Sequence, residues 1–305
     1  MRVRAWIDAF RLKFLPQGVV PVLLGTAIAW SQDNVFYFGY FLLAFFGMML
    51  VQFGLTMLND WYDFVQGTDT SNTTEKNPYT GGSGVLVDGI IKPNEMITVI
   101  AIFYIIAFFI ASYFTIAIGP MVMYIALCGF FISIFYSLKP FQFAYRGLGE
   151  LMMLLGYGPT ITLGAYFVQA QRLTWQVFLA GLIPGMLMWA MIIINEIPDY
   201  EEDSKANKRN LVVRFGREVG KKLYVGGLSI IYLFIILCVV WGVFPVPALL
   251  ALLSIPFALK SVRYMRRYYL DVLEMAPANK EMVKVYSSTT LLLILGFLLD
   301  KVIGV

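Results

Sequence analysis

The sequence contains no histidine, only two cysteines and few charged residues, which make up 14% of its 305 positions. The absence of histidine excludes histidine metal sites and Ser-His-Asp triads. Cys128 and Cys238 lie within apolar segments, so we interpret them as packing residues and predict neither a disulfide nor a zinc site. A soluble domain of this length needs more charge to cover its surface. The composition therefore indicates a membrane protein.

Long apolar segments indicate how the chain crosses the membrane. Hydrophobic residues make up 59% of the chain, in blocks long enough for a membrane helix and without the short alternation of a β-barrel. We predict one polytopic membrane domain over residues 1–305, all-α, with about nine transmembrane helices in two pseudo-repeated halves, roughly 1–140 and 141–305. The predicted spans are roughly 15–31, 37–58, 96–118, 121–138, 148–169, 174–197, 223–243, 245–260 and 285–303. Pro198 is expected to end the sixth span early.

The basic residues are distributed very unevenly between the two sides of these spans. Of the 23 Lys and Arg residues, all but Arg172 and Lys301 lie on the side of the N-terminus. The positive-inside rule therefore places the N-terminus in the cytoplasm and the C-terminus outside, in a plasma membrane. The net charge of +4 then reflects contact with anionic headgroups, and nucleic-acid binding is not needed to explain it.

Two related strings at the cytoplasmic ends of the second and sixth spans carry acidic residues. NDWYD begins at Asn59 and NEIPD begins at Asn195. Helical spacing puts Asn59 and Asp63 on one face of the second span. It also puts Asn195, Asp199 and Asp203 on one face if the helix of the sixth span continues through Pro198. Two such oxygen-rich sets facing one cavity would repel each other unless a cation lay between them. Magnesium suits oxygen ligands and completes its shell with water and phosphate. The other acids of these loops are interpreted as hydrated residues near helix ends.

A bound diphosphate would also need cationic side chains around the same cavity. The candidates, which positive-inside anchoring alone would also place here, are Arg11, Lys13, Lys139, Arg146, Lys208 and Arg209. Aromatic ring faces can bind a cation, and we select Tyr136 and Tyr157 as candidates for such a contact. The segment TGGSG at 80–84 is predicted to close over the site and exclude water.

These strings resemble the motifs of the UbiA superfamily of membrane prenyltransferases. Asn59-Asp60-x-x-Asp63 with the later Asp69 resembles the first aspartate-rich motif, and Asp199-x-x-x-Asp203 resembles the second. The six-residue spacing from Asp63 to Asp69 is that of the branch which prenylates 1,4-dihydroxy-2-naphthoate in menaquinone biosynthesis. The strings similar to that branch are RLKFLP at 11–16, LNDWYDFVQGTD at 58–69, YRGLGE at 145–150 and NEIPDYEEDSKANKRNLVVRFG at 195–216.

The resemblance implies a magnesium-dependent transfer of a polyprenyl group from its diphosphate to an aromatic acceptor, with no obligatory protein partner. The ligands that it implies for two magnesium ions are Asn59, Asp63, Asp69, Asn195, Asp199 and Asp203. The catalytic residues that we expect are Asp63, Asp199, Lys139 and Tyr136. The substrate-binding residues that we expect are Arg11, Lys13, Arg146, Lys208, Arg209 and Tyr157. The spacing from Tyr136 to Lys139 is one residue shorter than the Tyr-x-x-x-Lys of some members.

Two kinds of alternative stay open at this point. One is a UbiA-type transferase with another acceptor, such as a ubiquinone, tocopherol or haem precursor, an archaeal lipid or a related naphthoate. The other is a cation-coupled transporter. Transporter sites lie near the bilayer midplane in broken helices, whereas the acids here cluster at the inner helix ends, which favours an enzyme.

Overall fold

The protein is a helical bundle throughout the residues that the computed structural model describes, which are 2–67 and 77–303. No β-strand occurs in these two ranges. The α-helices are α1 (Arg2–Phe10), α2 (Leu15–Asp33), α3 (Phe38–Gln66), α4 (Pro93–Ala117), α5 (Met121–Phe135), α6 (Gly149–Leu155), α7 (Ile161–Ala170), α8 (Trp175–Lys205), α9 (Leu211–Phe215), α10 (Arg217–Val240), α11 (Ile255–Tyr268) and α12 (Ala276–Ile303).

Helices of membrane-spanning length confirm the predicted class. Eight helical stretches within the described ranges are long and apolar enough to cross a bilayer, and α5 is a shorter apolar helix. Three of the eight are composite: a 3-10 turn over Leu12–Phe14 connects α1 to α2, a π-helical turn joins α6 to α7, and a 3-10 helix over Val246–Ser254 precedes α11. About nine helices therefore account for the bundle, as predicted. Its division into two pseudo-repeated halves stays a prediction.

The predicted early end of the sixth span at Pro198 is wrong, because α8 continues to Lys205. A proline has no N–H to donate to the carbonyl four residues earlier, which here belongs to Ile194. That carbonyl instead accepts a hydrogen bond from Nδ2 of Asn279 on α12, at 3.2 Å. A side chain from another helix thus supplies the missing donor, which is how membrane helices tolerate proline.

The centre of the bundle is built from α2, α8 and α12. The main hydrophobic cluster includes fully buried side chains from all three helices, among them Leu24, Leu187 and Leu293. At one end of this core, Arg172 pairs with Asp33 at the end of α2, and Lys301 donates a hydrogen bond to Asn34 at 2.9 Å. Arg172 and Lys301, the two cations that the sequence places on the side opposite the N-terminus, therefore lie at the same end of the bundle.

Candidate active site

A partly polar cavity lies at the other end of the bundle, where the C-terminal parts of α3 and α8 approach each other. It encloses about 930 Å³ of empty space, part of it open to solvent. Nine of the residues selected from the sequence line it, namely Arg11, Asn59, Asp63, Tyr136, Tyr157, Asn195, Asp199, Asp203 and Lys208. Both acidic strings therefore contribute to one cavity.

The residues of the first string are held in place by neighbours from the α5–α6 connection. Asn59 donates from Nδ2 to the hydroxyl of Ser137 at 3.2 Å. The Tyr145 hydroxyl donates to Oδ1 of Asp63 at 2.6 Å. A charge-assisted bond of this length is strong, so the Asp63 carboxylate has a defined orientation toward the cavity.

The residues of the second string occupy the last turns of α8. Because α8 continues past Pro198, Asn195, Asp199 and Asp203 follow each other at intervals of about one turn, and all three line the cavity. Asp203 accepts a hydrogen bond from Nδ2 of Asn210 at 2.6 Å. Thr80 of the loop after α3 lies within hydrogen-bonding reach of Asp199.

Lys208 connects the two strings. Its Nζ lies 3.8 Å from Oδ2 of Asp63 and 3.5 Å from Oδ1 of Asp203. Burial by itself lowers the pKa of Lys208, but the carboxylates of Asp203 and Asp63 together raise it well above the ordinary lysine value. The side chain is therefore a permanent cation between the two acidic sets.

Arg11 reaches the same cavity from the connection between α1 and α2. Its guanidinium contacts Oδ1 of Asp60 at 3.2 Å, and Oδ2 of Asp60 accepts from the backbone N–H of Ser83 at 2.8 Å. Asp60 is buried and does not line the cavity. It therefore serves to hold Arg11 and the loop after α3, whose residues Tyr79 and Thr80 line the cavity.

Five of the six residues expected to bind magnesium line this cavity in two sets, here called half-sites: Asn59 and Asp63 on α3, and Asn195, Asp199 and Asp203 on α8. In residues 2–67 and 77–303, no three Asp, Glu, His or Cys side chains converge closely enough to hold a metal ion by themselves. Magnesium is usually bound by only one or two carboxylates together with waters and substrate phosphates, so carboxylate and amide oxygens from α3 and α8 fit it. Asp69, the remaining expected ligand, lies outside the described residues.

Four of the predicted substrate-contacting cations are not among the residues that line the cavity. The side chains of Lys13, Lys139, Arg146 and Arg209 are all exposed. The Nζ of Lys13 lies 5.2 Å from the ring centre of Tyr79, which lines the cavity. Positive-inside placement accounts for these cations without a contact to substrate, and their predicted roles stay untested.

A second, largely apolar cavity adjoins the first one. It lies among α3, α4, α5 and the α6–α7 segment, with about 960 Å³ of empty space that includes open regions. Leu55 and Tyr157 line both cavities. The hydroxyl of Tyr157 donates to Oε1 of Gln52 at 2.6 Å, which holds the ring at the junction. Polar and apolar compartments therefore meet at one aromatic side chain.

Sequence reasoning missed several residues that organise the site. The polar side chain of Gln52 within an apolar span was a usable signal, because a buried amide requires a partner. Tyr145 and Asn210 lie inside strings that already resembled the family, yet nothing in the spacing showed which carboxylate each would bind. Asn77 and Asn279 gave no local signal at all.

The sequence and the fold are both similar to known proteins. The sequence model of the UbiA prenyltransferase family matches residues 18–274. The 1,4-dihydroxy-2-naphthoate octaprenyltransferase of Escherichia coli is 30% identical, over 98% of this chain and 97% of its own length. The Bacillus subtilis protein of the same name is 27% identical, over 82% of this chain and 78% of its own length. A UbiA homolog from Archaeoglobus fulgidus, solved bound to DMAPP and Mg²⁺, has a TM-score of 0.64 at 15% identity, covering 94% of this chain and 98% of that one.

Proposed function

The chain belongs to the UbiA prenyltransferase family and is an integral membrane prenyltransferase, and from this premise we propose that it transfers a polyprenyl group from polyprenyl diphosphate to 1,4-dihydroxy-2-naphthoate in menaquinone biosynthesis. The observation that carries the proposal is the single cavity lined by both acidic strings, with Lys208 between them. The names of the Escherichia coli and Bacillus subtilis relatives support the acceptor.

The donor diphosphate fits the polar cavity. Its negative charge requires cations, and this cavity offers Arg11, held by Asp60, and Lys208. We assign two Mg²⁺ ions to the paired half-sites on α3 and α8, in keeping with the Mg²⁺ in the Archaeoglobus fulgidus homolog. When bound, Mg²⁺ would neutralise the charge that develops on the leaving diphosphate. Before the donor binds, Asp63 and Asp203 hold Lys208 in the cavity. The donor diphosphate then replaces the two carboxylates as the partner of Lys208.

The polyprenyl chain fits the apolar cavity. Since Leu55 and Tyr157 line both compartments, a donor with its diphosphate among the acidic strings can extend its hydrocarbon past Tyr157 into the second cavity. The allylic carbon then lies near the Tyr157 ring, whose face can stabilise positive charge. Tyr136 also lines the polar cavity, and we assign it the same role.

The reaction balances with these groups alone. The allylic C–O bond breaks, and its electron pair leaves with the diphosphate. The electron-rich ring supplies the pair for the new C–C bond, and the ring carboxylate leaves as carbon dioxide. Thr80 and Gly81 line the cavity, and we assign to their loop the role of limiting access of water to the cation. The cation-rich side on which this cavity lies is assigned to the cytoplasmic face of a plasma membrane.

A transfer assay tests this function. Purified protein receives labelled geranylgeranyl diphosphate, 1,4-dihydroxy-2-naphthoate and Mg²⁺, beside reactions with EDTA and with the variants Asp63→Ala and Asp199→Ala. Glu201→Ala is the matched control, since Glu201 is an exposed acid between the two α8 aspartates. We expect the unsubstituted protein and Glu201→Ala to form prenylated product. We expect no product with EDTA, with Asp63→Ala or with Asp199→Ala. Donor binding without product would mean a different acceptor. Folded protein without any Mg²⁺-dependent donor binding would contradict the enzyme and favour a transporter.

A further inference from the structure

Asn279 on α12 lies where three separate parts of the site meet. It is buried, at 2% exposure, and so is Asn77 of the loop after α3. Neither residue lines the cavity. A buried amide must satisfy its hydrogen-bonding groups, and the partners of these two amides form one continuous chain.

The chain of hydrogen bonds starts in the loop. The Asn77 carboxamide accepts from the backbone N–H of Tyr79 at 2.9 Å and donates from Nδ2 to Oδ1 of Asn279 at 3.0 Å and to the carbonyl of Val272 at 3.1 Å. The bond to Asn279 attaches the loop to α12, the bond to Val272 attaches it to the connection before α12, and the bond from Tyr79 lies within the loop. Since Tyr79 lines the cavity, the position of the loop over the site depends on this attachment.

The chain then continues into α8. Asn279 donates from Nδ2 to Oδ1 of Asn195 at 2.8 Å and to the Ile194 carbonyl at 3.2 Å. The Ile194 carbonyl is the one left without a donor by Pro198. An amide oxygen has two lone pairs, so Asn195 Oδ1 keeps one that can face the cavity. The Asn279 side chain thus supplies the donor that the Ile194 carbonyl lacks, and it also orients Asn195, the first residue of the second string.

The consequence concerns the register of the α8 residues. If the proline opened α8, Asp199 and Asp203 would turn away from the face shared with Asn195. A donor fixed on α12 keeps the helix closed at this point. We propose that Asn279 is a positioning residue: it replaces the backbone donor that Pro198 lacks, orients Asn195 in the second half-site and, through Asn77, couples the loop over the cavity to that half-site.

The direct test measures amide hydrogen exchange in the full-length protein without added metal. In Asn279→Leu, which keeps the size and removes both polar groups, we expect faster exchange at 195–205 and at 77–81. Thr290→Val is the matched control, because Thr290 is a buried polar residue of α12 whose hydroxyl, within the described part of the chain, hydrogen-bonds only to its own helix, at Tyr286. Unchanged exchange at both segments of Asn279→Leu would overturn the proposal.

A second variant distinguishes repair of the helix from general packing. Pro198→Ala restores an N–H for the Ile194 carbonyl, so it should slow the exchange at 195–205 in the Asn279→Leu background while leaving 77–81 fast. Purely additive effects of the two substitutions would contradict the assigned role. If Asn279→Leu does not fold alone but folds together with Pro198→Ala, the rescue itself supports the role, and failure of both would count against it.

The link to the metal half-site rests on the proposed function and has its own measurement. Binding of a non-cleavable geranylgeranyl thiolodiphosphate is followed against Mg²⁺ concentration. Loss of a partner that orients a metal ligand typically weakens metal binding roughly 10- to 100-fold, so Asn279→Leu should need that much more Mg²⁺. Unchanged Mg²⁺ dependence would refute this part of the proposal. No Mg²⁺-dependent binding in the unsubstituted protein would refute the proposed function, and the exchange experiment would still decide the role of Asn279.

Discussion

Replacing Lys208 by methionine tests whether this cation really links the two acidic strings. Its Nζ lies 3.5 Å from Asp203 and 3.8 Å from Asp63, and its side chain is 18% exposed. Removing one partner of a buried ion pair costs roughly 3 to 5 kcal/mol, because the remaining charges stay buried without compensation. With the partial exposure of Lys208 we expect the lower end, about 3 kcal/mol. At roughly 2 °C per kcal/mol for a chain of this size, the melting temperature should fall by about 6 °C.

Two further measurements separate this mechanism from a general loss of packing. In the absence of donor, Lys208 competes with Mg²⁺ for the same carboxylates, so Mg²⁺ alone should raise the melting temperature of Lys208→Met more than that of the unsubstituted protein. Transfer should nevertheless fall roughly 10- to 150-fold, because a hydrogen bond to a charged group contributes roughly 1.5 to 3 kcal/mol.

The pH dependence follows from the raised pKa of Lys208. A raised folded-state pKa means that the stabilisation is fully present below the ordinary lysine value and is lost only as the pH rises through the higher folded-state value. The difference in melting temperature between Lys208→Met and the unsubstituted protein should therefore stay constant from about pH 8 to pH 9, where the lysine is charged and its partner carboxylates are ionised. Lys205→Met, an exposed lysine at the end of α8, is the matched control. A Lys208→Met protein that melts and reacts like this control would refute the reasoning.

Three other substitutions test separate features of the molecule. A Cβ on Gly129 would meet only one neighbouring methyl carbon, at 3.6 Å, so Gly129→Leu should fill the apolar cavity and reduce transfer from long prenyl donors more than from geranyl diphosphate; Gly226→Leu, which faces open space, should not. Asp60→Asn should cost about 1.5 to 3 kcal/mol of stability and speed proteolysis of the loop after α3, whereas the exposed Asp88→Asn should change neither. Gly25→Ala places a Cβ against the backbone oxygen of Thr162 in α7, so overpacking should destabilise the bundle by roughly 1 to 3 kcal/mol or more, measured as loss of folded protein on heating.

Composition and periodicity predicted much of this protein without its structure. Apolar length alone defines membrane helices, because a helix must cover the thickness of the bilayer with apolar side chains. The spacing of Asn59 and Asp63 likewise predicted a shared face, since it depends only on the period of the helix. For Asn195, Asp199 and Asp203 the same prediction carried the condition that the helix continues through Pro198. Both predictions concern properties that are local to one helix, and the structure brings both strings to one cavity.

Contacts between distant parts of the chain could be found only in the tertiary structure. Pro198 in α8 indicates a helix end locally. The helix nevertheless continues, because the Ile194 carbonyl accepts a hydrogen bond from Asn279, 85 positions away along the chain. The same holds for Asn77, which meets Asn279 across 202 positions. Nothing in the local sequence distinguishes Lys208, which lines the cavity, from its exposed neighbour Arg209. The sequence by itself determined where the long apolar helices lie and which residues share a face within an uninterrupted helix, because those depend on neighbours along the chain. The structure decided which polar groups are partners and whether α8 continues past Pro198, because those depend on how the helices pack.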